Sequence, residues 1–229
     1  MKLIPEPTMR TARGRRFARK HPIVYQAPRV GGALINHQLP RYDYRDAYQV
    51  VVMAPPETVW DAVMQLDFLE LPLIRALFAI RELPVRTWRR LASGPAMPAA
   101  PHARLADLTA LGAFTVVAER PGREVVLGAV GQPWRPDYAP TPVAARSFAG
   151  FDQPGFAKIA WSWIVKPLGS GQTLLVVEWR TQLTNADARA HFRRYWTIVS
   201  RGVRLLARIA LARIKSDCEQ KPRTTVTVA

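Results

Sequence analysis

The sequence predicts an α+β fold in which a curved antiparallel sheet wraps round one long C-terminal helix. Three observations carry this prediction. Residues 187–215 form a proline-free amphipathic stretch. Phe156–Val165 and Thr173–Thr181 alternate apolar and polar residues about a Pro/Gly-containing connection. Tyr44–Met53 is a β-rich run followed at once by residues that start helices.

Taken in order, residues 1–40 hold eight basic residues against Glu6 alone, a net +7 of the chain's formal +16. With no sustained periodicity, they are expected to form a basic N-terminal tail. Tyr44–Met53 is expected to be the first strand, with Tyr48, Val50 and Val52 on one side and Val51 and Met53 on the other. Pro55-Pro56-Glu57 then places prolines and an acid where a helix begins, and Val59, Trp60, Val63 and Leu66 continue at helical spacing. A second short helix is expected from Leu71 to Leu83, through Leu73, Leu77, Phe78 and Ile80. Val85–Ala110, with Pro95, Pro98 and Pro101, reads as a long loop with at most one helical turn near Leu105.

Phe114–Glu119 and Glu124–Val130 are expected to pair as a hairpin about Arg120-Pro121-Gly122-Arg123, and the proline-rich Gly131–Gly155 to be irregular. Lys166–Gln172 reads as the loop of a second hairpin. Centring the register on it sets Trp163 opposite Leu175, Trp161 opposite Val177 and Ile159 opposite Trp179. One face is then apolar and aromatic. The other carries Lys158, Ser162, Glu178 and Arg180 and is expected to be a solvated outer surface.

The last element, Asp187–Lys215, follows Thr184-Asn185 and has an acid in its first turn. Phe192, Trp196, Val199, Val203, Leu206, Ala210 and Ile214 fall in one stripe, and Arg194, Arg201, Arg204, Arg208 and Lys215 on the opposite side. The helix is expected to run for roughly 43 Å with a soft point at Ser200–Gly202. The domain boundaries that follow are a tail over 1–40, a folded domain over 41–217 and a C-terminal tail over 218–229.

Hydrophobic residues at 48% and charged residues at 22% suffice for a buried core and exclude disorder throughout. The charge has two readings. It implies a polyanionic partner, or it reflects the Arg-, Ala- and Pro-rich composition of a GC-rich genome, since Lys is rare among the 33 basic residues. The single Cys218 has no partner for an internal disulfide. Arg15-Arg16-Phe17 resembles the start of a twin-arginine signal, but His21–Gly32 lacks the apolar stretch that must follow. A cytoplasmic location is expected.

This order of elements resembles the START-like helix-grip superfamily, also called SRPBCC, which includes polyketide cyclases, steroid-transfer domains and birch-pollen-allergen-like proteins. The resemblance spans about residues 42–217. Val50–Ala62, Val126–Trp134, Gly155-Phe156-Ala157-Lys158 and Phe192-Arg193-Arg194-Tyr195-Trp196 carry it, and the match is nearest to an uncharacterised bacterial branch. It implies an α+β helix-grip fold with two short helices after the first strand and a cavity between sheet and C-terminal helix. Relatives hold lipids, sterols or polyketides there. It brings no catalytic signature.

Trp161, Trp163, Val177 and Trp179 from the sheet, with Tyr195, Trp196 and Val199 from the helix, are therefore the candidate ligand-binding residues, although the first reading of the same aromatics is plain core packing. Trp134, in the Gly/Pro-rich segment after the first hairpin, is a candidate gate or an aromatic pinned over the sheet edge. Arg180 would bind a ligand carboxylate if the strand faces were reversed.

The four histidines and the cysteine lack metal-ligand spacing, and neither a phosphate loop nor a Gly-x-Ser-x-Gly elbow is present. No metal or cofactor is expected, and a general acid or base would have to come from a carboxylate such as Asp46 or Glu178. The first expectation is non-catalytic binding or transfer of an apolar small molecule or lipid. A cyclase- or hydrolase-like enzyme on a hydrophobic substrate is the second. The third is a basic interaction module, in which the tail and the basic face of the long helix bind nucleic acid, membrane or an acidic protein, with the tail resting on an anionic membrane surface as one variant. Nucleic acid finds less support, because no recognition motif accompanies the basic residues.

Overall fold

The computed structural model describes residues 24–68, 104–110, 112, 114–135 and 140–220. The helix expected over Leu71–Leu83, most of the loop after it and the first half of the N-terminal tail lie outside these residues. Six strands form one antiparallel sheet: β1 Tyr25–Gln26, β2 Tyr44–Val52, β3 Thr115–Arg120, β4 Glu124–Gly131, β5 Ala157–Gly169 and β6 Gln172–Leu183, in the order β1-β2-β6-β5-β4-β3. The helices are α1 Ile35–Gln38, α2 Pro56–Gln65, α3 Leu105–Ala110, α4 Ala145–Phe148 and α5 Ala186–Gln220. This is the helix-grip arrangement, with α5 lying along β2 and β6.

Local chemistry places the elements. Pro56 opens α2 at a position that needs no backbone donor. The Asn185 side chain accepts from the Ala188 N–H at 2.9 Å and caps α5. α5 runs unbroken through Ser200–Gly202, where a soft point was expected. Its 35 residues span about 52 Å at 1.5 Å per residue. It continues beyond the expected domain end, with Cys218 buried and Glu219 accepting from the Met53 N–H at 2.8 Å, so residues 218–220 belong to the domain and not to a tail. Arg204 and Lys215, expected on its solvent side, instead reach back to β2. Arg204 pairs with Asp46 at 3.1 Å, and Lys215 donates to the Val51 carbonyl at 2.7 Å.

The β5–β6 register differs from the expected one by two residues. Trp163 stands opposite Val177, Trp161 opposite Trp179 and Ile159 opposite Thr181. The strands continue past Lys166 to a tight turn at Ser170-Gly171, whose φ values of 53° and 71° are those of a two-residue hairpin loop. Pro167 sits at the edge of a register irregularity, one of the places in a sheet where proline is tolerated. A shift of two leaves each side chain on its expected face.

The sheet is covered on both sides. On the α5 side, Val50, Val52, Val125, Leu127, Trp163, Leu175 and Val177 pack with Val59 and Val63 of α2 and with Ala210, Leu211 and Ile214 of α5. On the other side, Ala47, Val126, Ala160, Ile164 and Val176 pack beneath Ala27, Ala33, Ile35, Leu39 and Phe148. Gly128 exists for that packing: a Cβ there would meet Val117 at 2.6 Å and Phe148 at 2.9 Å.

This corrects two expectations. Residues 24–40 are not tail, since they supply β1, α1 and four of the eleven buried residues of a second core, and β2 is not the first strand. Nor is the outer face solvated: Lys158, Ser162, Glu178 and Arg180 are all 3% exposed or less. They are buried because the covering segments satisfy them. Arg180 donates to the Leu39 carbonyl at 3.0 Å and to Asn36 Oδ1 at 2.6 Å, Lys158 donates to the Ala149 carbonyl at 2.8 Å, and Ser162 donates to Glu124 at 3.0 Å. No helix among the described residues is long and apolar enough to cross a membrane.

Candidate functional site

Alternation along β5 and β6 sends Trp161, Trp163, Val177 and Trp179 to the α5 side, and antiparallel pairing sets them in adjacent rows. Phe68, three residues past α2, and Phe114, just before β3, close on them from the flanks. The five rings form one continuous array. Trp161 lies 5.5 Å from Trp163, 5.9 Å from Trp179, 5.2 Å from Phe68 and 5.9 Å from Phe114, centroid to centroid. All these pairs are tilted, as the ring quadrupole favours.

Within the array the burial is uneven. Trp163 is 0% exposed, whereas Trp161 and Trp179 are half-buried. The Trp179 indole donates to Thr181 Oγ1 at 3.1 Å. The Trp163 indole N–H is buried and has no acceptor among the described residues.

Two further polar groups share this side of the sheet. Asp46, opposite Trp179 in the β2–β6 ladder, is held by Arg204. Tyr48, opposite Val177, has its phenol pushed above the ordinary tyrosine range, first by burial and then by the Asp46 charge, while Arg204 and Arg208 pull the other way. It therefore stays protonated at neutral pH and can only donate or accept a hydrogen bond as a neutral group. The arrangement offers apolar contact, ring stacking and a free indole donor. A nucleophile paired with a base is absent among the described residues of this face.

The other candidates fall elsewhere. Tyr195, Trp196 and Val199 gather at the N-terminal part of α5 with Phe192, Leu183 and Tyr44. Trp196 stacks on Phe192 at 5.5 Å and tilts against Tyr44 at 5.9 Å. Trp134 joins this second cluster, stacked on His191 at 6.1 Å and edge-on to Phe192 at 6.4 Å. It ties the segment after β4 to the first turns of α5. Arg180 faces away from α5 altogether, ion-paired with Glu178 at 2.7 Å beneath α1, so it lies outside the aromatic face. Phe68, Phe114 and Tyr48 were not among the sequence candidates. The alternation of Tyr48 with Val50 and Val52 already pointed to it, but nothing local marks Phe68 or Phe114.

No family model matches the chain, and no curated protein matches it. Among solved structures it is similar to the Zhui aromatase/cyclase from Streptomyces sp. R1128, at 14% identity over 81% of this chain and 99% of that one, with a TM-score of 0.30. It is also similar to the lipid transfer and protein localization domain of human StarD13, at 14% identity over 77% of each chain and a TM-score of 0.26. A third likeness is to EF2215 of Enterococcus faecalis, a conserved protein of unknown function, at 12% identity over 82% of this chain and 79% of that one, with a TM-score of 0.32. At these scores the likenesses carry no argument, and the fold rests on the arrangement of the chain's own strands and helices.

Proposed function

We propose that the chain binds an apolar small molecule or lipid against the Trp161–Trp163–Trp179 face, beside α5, without chemical change to it. The observation that supports this most directly is the indole N–H of Trp163, fully buried yet lacking an acceptor among the described residues. A buried donor left unpaired costs about 1–3 kcal/mol. A ligand carrying a carbonyl, ester or hydroxyl oxygen would relieve that cost while its apolar body covered the half-buried faces of Trp161 and Trp179. Each 100 Å² of apolar ligand surface removed from water would contribute roughly 2.5 kcal/mol. Asp46 is engaged by Arg204 and Tyr48 keeps its proton, so the polar groups of this face favour holding a ligand over transforming one.

The test pairs two ligand series: long-chain alcohols or esters, and hydrocarbons of matched size, titrated by quenching of tryptophan fluorescence. The wild-type chain is expected to bind both. Trp163→Phe, which keeps the ring and removes the donor, is expected to lose about three- to tenfold in affinity for the oxygen-bearing series and little for the hydrocarbons. Failure of the wild type to bind any member of either series would overturn the reading. Equal losses in both series would remove the role given to the indole.

A further inference from the structure

The solvent side of α5 is not an ordinary polar face. Between Asp187 and Asp217 the helix carries seven arginines and no carboxylate. Arg189, Arg204 and Arg213 are paired with Asp43, Asp46 and Asp217. Arg194, Arg201 and Arg208 are exposed and have no acidic partner among the described residues. At intervals of seven they form a row about 21 Å long, which drifts from the outer side at Arg194 and Arg201 to the β2 flank at Arg208, where its charge acts on the Tyr48 phenol. Beside that row, also seven apart, stand Ile198 and Leu205, 81% and 45% exposed. These are two large apolar side chains held out to solvent on a helix whose other face already fills the core.

We infer that this outer face of α5 docks the protein on an anionic lipid bilayer. The arginine row matches the charge of acidic headgroups, each basic residue near such a surface adding about fivefold to binding. Ile198 and Leu205 then reach the boundary between headgroups and acyl chains, as the apolar residues of interfacial helices do. The apolar pair decides between polyanions, since the phosphate backbone of a nucleic acid would gain nothing from it. A second copy of the chain is disfavoured because it would set one arginine row against another. The inference is independent of what the aromatic face binds.

Full-length protein is sedimented with vesicles of phosphatidylcholine alone, and with vesicles of about 70:30 phosphatidylcholine and phosphatidylglycerol. Binding is expected to the anionic vesicles and to weaken with salt. Ile198→Ser/Leu205→Ser and, separately, Arg194→Gln/Arg201→Gln are each expected to lower the bound fraction at least about tenfold. Circular dichroism should stay unchanged, because every substituted side chain is at the surface. Wild-type protein that ignores anionic vesicles would overturn the proposal. So would undiminished binding by the serine variant, which would place attachment elsewhere, for example in the basic N-terminal residues. Binding of duplex DNA that the arginine substitutions abolish and the serine substitutions leave intact would also overturn it, in favour of a nucleic-acid partner.

Discussion

Glu178 and Arg180 lie two residues apart on β6, at 0% and 1% exposure. The Glu178 carboxylate accepts from Arg180 at 2.7 Å and from Arg45 at 2.9 Å. Removing one member of such a cluster strands the others in a medium that does not hydrate them. Glu178→Ala is expected to destabilise the fold by about 3–5 kcal/mol, read as a fall in the urea midpoint at unchanged slope.

Lys158, on the same face, makes a different prediction. Burial pulls its pKa below the ordinary lysine value, with Asp152 opposing. The unfolded chain therefore holds that proton more tightly than the folded one. The penalty is complete below the folded-state pKa and fades as pH rises from there towards the ordinary lysine value. Lys158→Met should thus be more stable than wild type at neutral pH, and its advantage should shrink as unfolding is measured at increasingly alkaline pH; an advantage independent of pH would sever the link to the buried charge. These residues were also the hardest to read in the sequence. Charged residues alternating with tryptophans look solvated, and only the chain that returns over them, with Leu39, Asn36 and Ala149 as acceptors, makes their burial tolerable.

At the scale of elements, periodicity served where an element is long. The apolar stripe and Asn185 cap of α5 were legible because a helix of this length repeats its pattern many times. The β5–β6 hairpin was legible in its faces but not in its register, since Pro167 marks a loop by composition while sitting at an irregularity within the ladder. The turn itself is Ser170-Gly171, with Ser170 at φ 53°, a conformation that asparagine adopts more readily than serine. Ser170→Asn is expected to stabilise the hairpin by roughly 0.5 kcal/mol, seen as a small rise in thermal midpoint. β1 and α1 escaped notice because elements of two and four residues leave no period to detect.

Across the whole molecule, the sheet works as a partition. Its outer side is closed by residues 24–42 and α4 over a core that includes the buried charges, and its inner side carries the aromatic array next to α5. The candidate site was legible in part. Trp161, Trp163, Val177 and Trp179 share one surface as their alternation requires. Trp134, Tyr195, Trp196 and Val199 belong to a separate cluster at the start of α5, because position along a 35-residue helix, which the helical stripe alone does not reveal, decides which part of the sheet each residue meets. The most direct measurement is native mass spectrometry of the freshly purified chain beside Trp179→Arg, which puts a charge on the half-buried edge of the aromatic face. The wild type is expected to carry, or to take up from a panel of lipids and sterols, a non-covalent mass that the variant does not retain. A wild-type chain that stays at its bare mass with every compound offered would contradict the account.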